Sequence, residues 1–459
     1  MTTSRSTRTG RSSVEVFHGT RRWLYVMAVD GPLRRLRRLA AVILHLILFI
    51  PPWIMVSGNP SLRLDLETRR LYAFGAIFTA SDTILLLLIL LFLAFSLFFF
   101  TSLFGRLWCG YACPQTVFLE EWIRPIERWI EGPRGRWMHR DQGPITLERV
   151  ARKAAKWAVF ALASFLVSMA FMGYFAGARE LWTGRAGPVE YSLVAIFGFV
   201  WFLDFAWFRE QFCNYLCPYA RFQSAMTDEQ TLLITYDVAR GEPRGVPTAR
   251  DTGGCIACQK CVAVCPQDID IRHGFQLECI ACGACQDACD DVLGRLGHPG
   301  LMRYTSMAAT EGRKVRQLRP RTVVYASLLT GIAAAWVTLL ATRVPFEANV
   351  GRAPGSLFTI DGDGFVRNTY LLELTNNAAG TDVPFHVQVE GVPGAQVVAQ
   401  DVRLASSESR TVPLVVRLPS SPAMARTIPI RVKVATPGAE QILETTFKTG
   451  GDLAAVPAR

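Results

Sequence analysis

The chain has 459 residues, half of them hydrophobic, with a mean hydropathy of +0.23 and a formal net charge of +11. That balance excludes an ordinary water-soluble globule and asks for a lipid bilayer. The positive charge lies in blocks beside the apolar runs, so it reads as membrane topology and attraction to anionic lipid, with no nucleic acid required.

Residues 1–38 are rich in Ser, Thr and Arg, with nine Arg against only Glu15 and Asp30. Five apolar runs follow: Ala40–Val56, Thr83–Phe104, Trp157–Phe175, Tyr191–Phe208 and Val323–Ala341. Thr83–Phe104 is the clearest, about 33 Å long as a helix and enough to cross a bilayer. Pro51-Pro52 breaks the outer end of the first run. The long basic lead and the lack of a small-residue cleavage site argue against a removed signal peptide, so the first helix is expected to stay. The basic segments 1–38, 105–156 and 313–321 fall on one side of the membrane, and the nearly balanced loops 57–82 and 176–190 on the other. The positive-inside rule then puts the N-terminus inside and the C-terminus outside. In segment 105–156, Trp122, Trp129 and Trp137 interleave with Arg124, Arg128, Arg134 and Arg136, the pattern of an amphipathic piece lying at headgroup level.

Two hairpins of membrane helices end on the inner side with the same short motif. The second run leads into Cys109-Gly110-Tyr111-Ala112-Cys113-Pro114, and the fourth into Cys213-Asn214-Tyr215-Leu216-Cys217-Pro218. At i and i+4 two sulfurs face one side of a helix, about 5–6 Å apart at Cβ. That suits one soft metal ion and is long for a disulfide. A single Cys-x3-Cys reads as small buried helix-end residues. The duplication at matching depth points to one shared metal or redox site, for which copper, zinc and iron–sulfur chemistry all suit thiolates. Two ionisable residues sit inside apolar runs on this same side, His45 and Asp204. Such groups need a partner or a functional cavity. His45 is a candidate third ligand or proton carrier, and Asp204 either lines the site or pairs with Arg209.

The strongest signal lies between Cys255 and Cys289. Cys255-x2-Cys258-x2-Cys261-x3-Cys265-Pro266 is followed by Cys279-x2-Cys282-x2-Cys285-x3-Cys289. This is the bacterial ferredoxin run, doubled, in which three close thiolates and a fourth from the other run hold each cubane. The expected ligand sets are Cys255, Cys258, Cys261 and Cys289 for one [4Fe–4S] cluster, and Cys279, Cys282, Cys285 and Cys265 for the other. Zinc knuckles use Cys-x2-Cys halves with longer spacers and need no such run. Asp290, not proline, follows the last cysteine. All 12 cysteines fall on the expected inner side or at its boundary, where thiols stay reduced.

The C-terminal region differs in kind. It has no cysteine, and alternating segments Tyr370–Thr375, Phe385–Glu390, Thr411–Leu418 and Thr427–Ala435 are separated by turn signals such as Asp361-Gly362-Asp363-Gly364. An immunoglobulin-like antiparallel β-sandwich is expected, serving recognition or docking. The fold class is therefore a multidomain membrane protein: an α-helical transmembrane bundle of about five helices, a dicluster ferredoxin-like unit and a C-terminal immunoglobulin-like β-sandwich. Its expected divisions are a basic N-terminal segment 1–38, a four-helix membrane region 39–209, a cluster unit 210–320, a fifth membrane helix 321–344 and a β-domain 345–459.

Taken together, Trp108-Cys-Gly-Tyr-Ala-Cys-Pro-Gln-Thr116, Cys213-Asn-Tyr-Leu-Cys-Pro-Tyr-Ala-Arg-Phe-Gln223, the double ferredoxin run and Arg367-Asn-Thr-Tyr370 resemble the CcoG family, also called RdxA or FixG, the cytochrome c oxidase accessory proteins of Gram-negative bacteria. The resemblance covers nearly the whole chain. It implies a multi-pass protein of the bacterial cytoplasmic membrane, with clusters cytoplasmic and the C-terminal domain periplasmic. It also implies a role in assembling a cbb-type haem–copper oxidase, with oxidase subunits or assembly factors as partners. By position it makes Cys109, Cys113, Cys213 and Cys217 the copper-associated cysteines, where Cu(II) is reduced to Cu(I). It lends no support to His45 or Asp204. The electron donor is left open between a flavoprotein, a ferredoxin and quinol. Two other classes compete: a quinol-linked polyferredoxin subunit feeding a periplasmic reductase, and a non-catalytic scaffold whose clusters sense redox state. Quinol oxidation without Cu(II) reduction marks the first, and oxidase assembly that survives loss of the clusters marks the second.

Overall fold

The computed structural model describes residues 23–245, 254–316, 318–378, 380–421 and 425–449. Residues 1–22 of the expected basic segment lie outside the described residues. The chain divides into two compact units. One comprises residues 1–50, 89–173 and 178–334, and the other residues 51–88, 174–177 and 335–459.

Among the described residues, five helices are long and apolar enough to cross a membrane. Their helical cores are α1 (Pro32–Phe49), α2 (Thr83–Phe104), α3 (Leu147–Ala176), α4 (Pro188–Leu203) and α5 (Pro320–Ala341). Their outward faces remain apolar and exposed, as at Leu90, Leu93, Phe199 and Val324, which fits lipid as the solvent.

Helix α1 starts earlier than its apolar run suggests. Pro32 occupies the first turn, where its missing N–H costs nothing. The next two amides, of Leu33 and Arg34, donate to the carboxylate of Asp287 at 3.2 and 2.8 Å. Asp287 belongs to the cluster-bearing helix Ala284–Gly294 and is 2% exposed. A distant carboxylate thus does the work of an N-cap and meets the positive end of the helix. The contact is close: a β-carbon on Gly31 would fall 2.3 Å from Asp287 Cγ.

The expected interfacial segment is more deeply engaged than a surface amphipath. It forms short helices Pro114–Phe118, Arg124–Glu131 and Arg134–Gln142 with a π-turn at Leu119–Ile123. Trp129 is 80% exposed, in keeping with a headgroup position, but Trp137, Arg124, Glu127 and Glu131 are buried. The reason is charge pairing. Arg209 makes a bidentate pair with Glu127, both contacts 2.7 Å. Lys156 of α3 reaches Glu131 at 3.0 Å and lies over the rings of Trp23 and Trp137. Glu120 meets Arg124 at 2.7 Å and Arg37 at 3.5 Å, while Arg34 reaches Glu121 at 2.5 Å. Buried charges persist only when matched in this way.

Residues 346–448 of the second unit form two antiparallel sheets. One has the order Gln396–Val398, Ser409–Pro419, Phe365–Asn376, Phe346–Arg352, with Thr359–Ile360 also paired to Phe365–Asn376. The other runs Val402–Leu404, Val383–Glu390, Thr427–Thr436, Ala439–Lys448. Alternate residues point inward to a core that includes Tyr370, Leu372, Phe385, Val416, Val432 and Phe447. Tyr370 keeps its hydroxyl satisfied on the Thr446 carbonyl at 2.8 Å. The loop between α1 and α2, read from sequence only as nearly balanced in charge, folds into short strands including Leu62–Asp65, Arg70–Ala73 and Ala76–Phe78. Within this unit Arg70 donates to Ser407 O at 2.7 Å and Ser409 Oγ at 2.9 Å, and Arg343 pairs with Asp82 at 2.6 Å.

Replacing Asp287 by alanine leaves two helix-start amides without their acceptor. The expected loss is about 1–2 kcal/mol, read as a shift in the denaturant midpoint of the detergent-held protein, with Asp287→Asn losing less.

Candidate metal centres

The two ferredoxin runs adopt one backbone shape twice. Ala257 and Ala281, each just before the second cysteine of its run, have φ of 54° and 50°. Gln259 and Gly283, each just after it, have φ of 56° and 76°. Such left-handed residues between right-handed ones turn successive backbone N–H groups toward a common hollow, which favours an anionic guest. The first run ends in the short helix Lys260–Ala263 and the second in Ala284–Gly294. The antiparallel pair Leu233–Tyr236 and Met302–Thr305 closes the unit, contributing Ile234 and Met302 to its core.

Two cavities result. One is lined by Cys265, Cys279, Cys282 and Cys285 with Ile234 and Ile271. The other is lined by Cys255, Cys258, Cys261 and Cys289 with Leu293 and Met302. Cys261 also borders the first, so the cavities are neighbours. Burial is the first cause that pushes these thiols up: Cys261 and Cys279 to about 11, Cys265 and Cys285 higher still. Buried thiols with costly anions, aimed into greasy hollows, suit the positive iron of a cluster. Backbone N–H groups of Gln267 and Leu301 already point at Cys265 Sγ and Cys289 Sγ, both at 3.4 Å.

The Cys-x3-Cys-Pro motifs depart from one continuous helix. Cys109 lies in the short helix Leu107–Tyr111, but Cys113 is extended, with φ −63° and ψ 125°. Cys213 lies in a π-turn Phe212–Leu216, and Cys217 is extended at φ −74°, ψ 112°. The physical cause is Pro114 and Pro218, whose rings disfavour a helical residue before them. Each motif is therefore a helix end followed by a new helix start. Burial first, and then the neighbouring Cys109, pushes the Cys113 thiol up to about 11. Cys213 is likewise raised by burial and then by Cys113 and Cys109. Gln223, fully buried, sits 3.5 Å from Cys109 Sγ.

The intramembrane groups have other neighbours. His45 Nδ1 faces the Ala41 carbonyl at 2.6 Å, and its ring stacks on Trp122 and meets the edge of Phe118, centroids 5.5 Å apart in both cases. Among the described residues no three His, Cys, Asp or Glu side chains stand as a group that could hold a metal ion, whether around His45 or around the cysteines. Helix α1 turns the His45 ring into aromatic packing, and its Nε2 has no hydrogen-bond partner there. Asp204 does not pair with Arg209, whose guanidinium is held by Glu127. Its Oδ1 instead accepts from Gln115 Nε2 at 3.0 Å, next to Cys113-Pro114.

One contact joins the two kinds of site. Gly110 lies against the second ferredoxin loop so closely that a β-carbon there would be 2.5 Å from the Ile280 carbonyl and 2.9 Å from Cys282 Cα. Cys109 and Cys282 consequently share one small core with Val264, Ile280, Ala284 and Ala288.

Residues 208–307 match a family described as a 4Fe-4S dicluster domain, and residues 85–135 one described as a 4Fe-4S binding domain. Residues 336–449 match the "IG-like fold at C-terminal of FixG". Protein RdxA of Cereibacter sphaeroides is 34% identical over 438 residues, covering 90% of this chain and 91% of its own. The chain belongs to the FixG/RdxA family. Protein RdxB of the same organism is 34% identical over 436 residues (90% of this chain, 89% of its own), and nitrogen fixation protein FixG of Rhizobium meliloti 33% over 423 (82% and 80%). This FixG/RdxA member is accordingly a membrane iron–sulfur redox protein with an immunoglobulin-like C-terminal domain. The 85–135 match contains only Cys109 and Cys113, so a cubane there would need Cys213 and Cys217 as well.

Sequence reasoning missed Asp287, Gly110, Gln223 and Arg106. Gly110 carried a signal, a glycine inside a cysteine motif, but the surface it serves is far away in the chain. Gly110→Ala is expected to cost about 1–3 kcal/mol through overpacking and to lower iron retained after gel filtration, measured with acid-labile sulfide.

Proposed function

We propose that this protein passes single electrons from an inner-side donor, through two [4Fe–4S] clusters, to copper at Cys109, Cys113, Cys213 and Cys217, reducing Cu(II) to Cu(I) for maturation of a cbb-type oxidase. The observation that carries the reading is the Gly110 contact, which packs Cys109 into one core with Cys282. The clusters supply one-electron storage, matched to a one-electron reduction. Cys255, Cys258, Cys261 and Cys289 would hold one cluster, and Cys279, Cys282, Cys285 and Cys265 the other. The chain's own residues do the rest. Ile234, Ile271, Leu293 and Met302 exclude water from the two hollows. Gln223 orients the Cys109 sulfur. The thiol quartet takes copper as substrate and favours the soft Cu(I) product. The basic inner segments support a topology with the clusters cytoplasmic and the β-domain periplasmic, in the bacterial inner membrane.

Cys109→Ala and Cys213→Ala are each expected to abolish Cu(II) reduction by the dithionite-reduced, desalted protein, followed with a Cu(I)-specific chelator, while iron stays at about eight atoms per chain. Iron near twelve per chain, falling by about four in these variants, would mean a third cluster at the quartet and overturn the copper reading. Because burial raises the thiols of Cys109, Cys113 and Cys213, copper must displace protons from them. Below the thiol pKa values the apparent affinity for Cu(I) rises with pH, by up to about tenfold per unit for each proton released. Competition against a Cu(I) chelator between pH 6 and 8 measures it.

A further inference from the structure

Arg106 stands at the junction between the thiol quartet and the second ferredoxin loop. It precedes the short helix that carries Cys109 and Gly110, and its carbonyl accepts the Gly110 N–H. Its side chain is 4% exposed. One guanidinium nitrogen donates to the carbonyl of Leu277, two residues before Cys279. Its Nε has no hydrogen-bond partner. Among the described residues it makes no ion pair with a carboxylate. A buried guanidinium, always charged, needs an anion. The other buried arginines of this region have theirs: Arg209 has Glu127, and Arg37 has Glu120.

The surroundings of the two cavities differ in this respect. At the cavity of Cys255, Cys258, Cys261 and Cys289, the lining cations are neutralised, Arg272 by Asp270 at 2.6 Å and Lys260 by Asp291 at 2.5 Å. Asp290 adds a further carboxylate beside Cys289. At the cavity of Cys265, Cys279, Cys282 and Cys285, the carboxylate of Asp287 is spent on the start of α1. Arg106, tied to this loop through the Leu277 carbonyl, is left without a protein anion.

We propose that Arg106 is the built-in counter-ion of the cluster held by Cys265, Cys279, Cys282 and Cys285, and that it sets this cluster at the higher reduction potential, so that electrons enter at the Cys255/Cys258/Cys261/Cys289 cluster and leave at the Cys282 edge toward Cys109. A cubane with four thiolate ligands is anionic and gains another negative charge on reduction. A desolvated cation beside it stabilises the reduced form more than the oxidised one, and net charge and hydrogen bonds near the sulfurs are recognised levers on potential. Arg106 is a positioning residue in this scheme, acting on the cluster through space. The inference rests on the proposed direction of electron flow toward the quartet.

The test is a redox titration of the full chain in detergent, loaded with clusters under anaerobic conditions and followed by electron paramagnetic resonance without copper. Two cluster signals are expected at separate potentials. Cys258→Ala, which disables the cluster at the exposed ligand, should remove or convert the lower-potential signal. Arg106→Gln should move the higher signal to more negative potential and leave the lower one in place, and Arg106→Lys should restore most of the shift. If Cys258→Ala removes the higher signal, or Arg106→Gln moves neither, the proposal is overturned. The Cys258→Ala arm decides the ordering even where Arg106→Gln does not assemble. Failure here is separable from failure of the copper reading: two clusters with unranked potentials sink only the role of Arg106, whereas ranked clusters that leave Cu(II) unreduced sink only the copper step.

Discussion

Where Gly110 meets Ile280 and Cys282, not even a methyl group fits, and that contact fixes how far the thiol motif stands from the iron–sulfur unit. Neither partner could hold the geometry alone. Gly110 sits on a five-residue helix, Leu107–Tyr111, too short to be stable by itself. Its position is inherited from the end of α2 on one side and from the buried charges around Glu120 on the other. Arg37 links them, reaching the Gly110 carbonyl at 3.0 Å while pairing with Glu120. Asp287 completes the clamp by capping α1, the helix that carries Arg37.

These links explain why so many charges are buried near a membrane surface. Solvated arginines would serve the positive-inside rule equally well. Matched inside the protein, they specify which helix end meets which, because a misaligned partner would leave a bare charge in a low-dielectric setting. Trp23 and Trp137 add aromatic faces to Lys156 and make the same point in apolar terms.

Much of this architecture was legible in the residues. Apolar length announced five spanning helices, cysteine spacing announced two clusters, and alternation announced the C-terminal sandwich. Each of these signals is local, carried by neighbours in the chain. What could not be read was pairwise and distant. Arg34 and Arg37 looked like members of a loose basic tail until Glu120 and Glu121 claimed them. Asp204 and Arg209, close in sequence, suggested an ion pair, yet Glu127 took the arginine and Gln115 the aspartate. Proline was read correctly as a helix breaker, but its consequence for Cys113 and Cys217, an extended residue in place of a continuing turn, needed the backbone to be seen. Strand Ala439–Lys448 hides for another reason: with Gln441, Glu444 and Lys448 along it, its composition resembles a helix, and only its pairing with Thr427–Thr436 makes it a strand.

Of the eight ferredoxin-type cysteines, Cys258 is the exposed one. The same opening that lets a redox partner come near also admits small diffusing oxidants. Dioxygen and peroxide would reach that corner before any other, and damage would begin with the loss of one iron there while the inner quartet stayed sheltered. Air exposure should therefore erode this protein stepwise, from its rim inward.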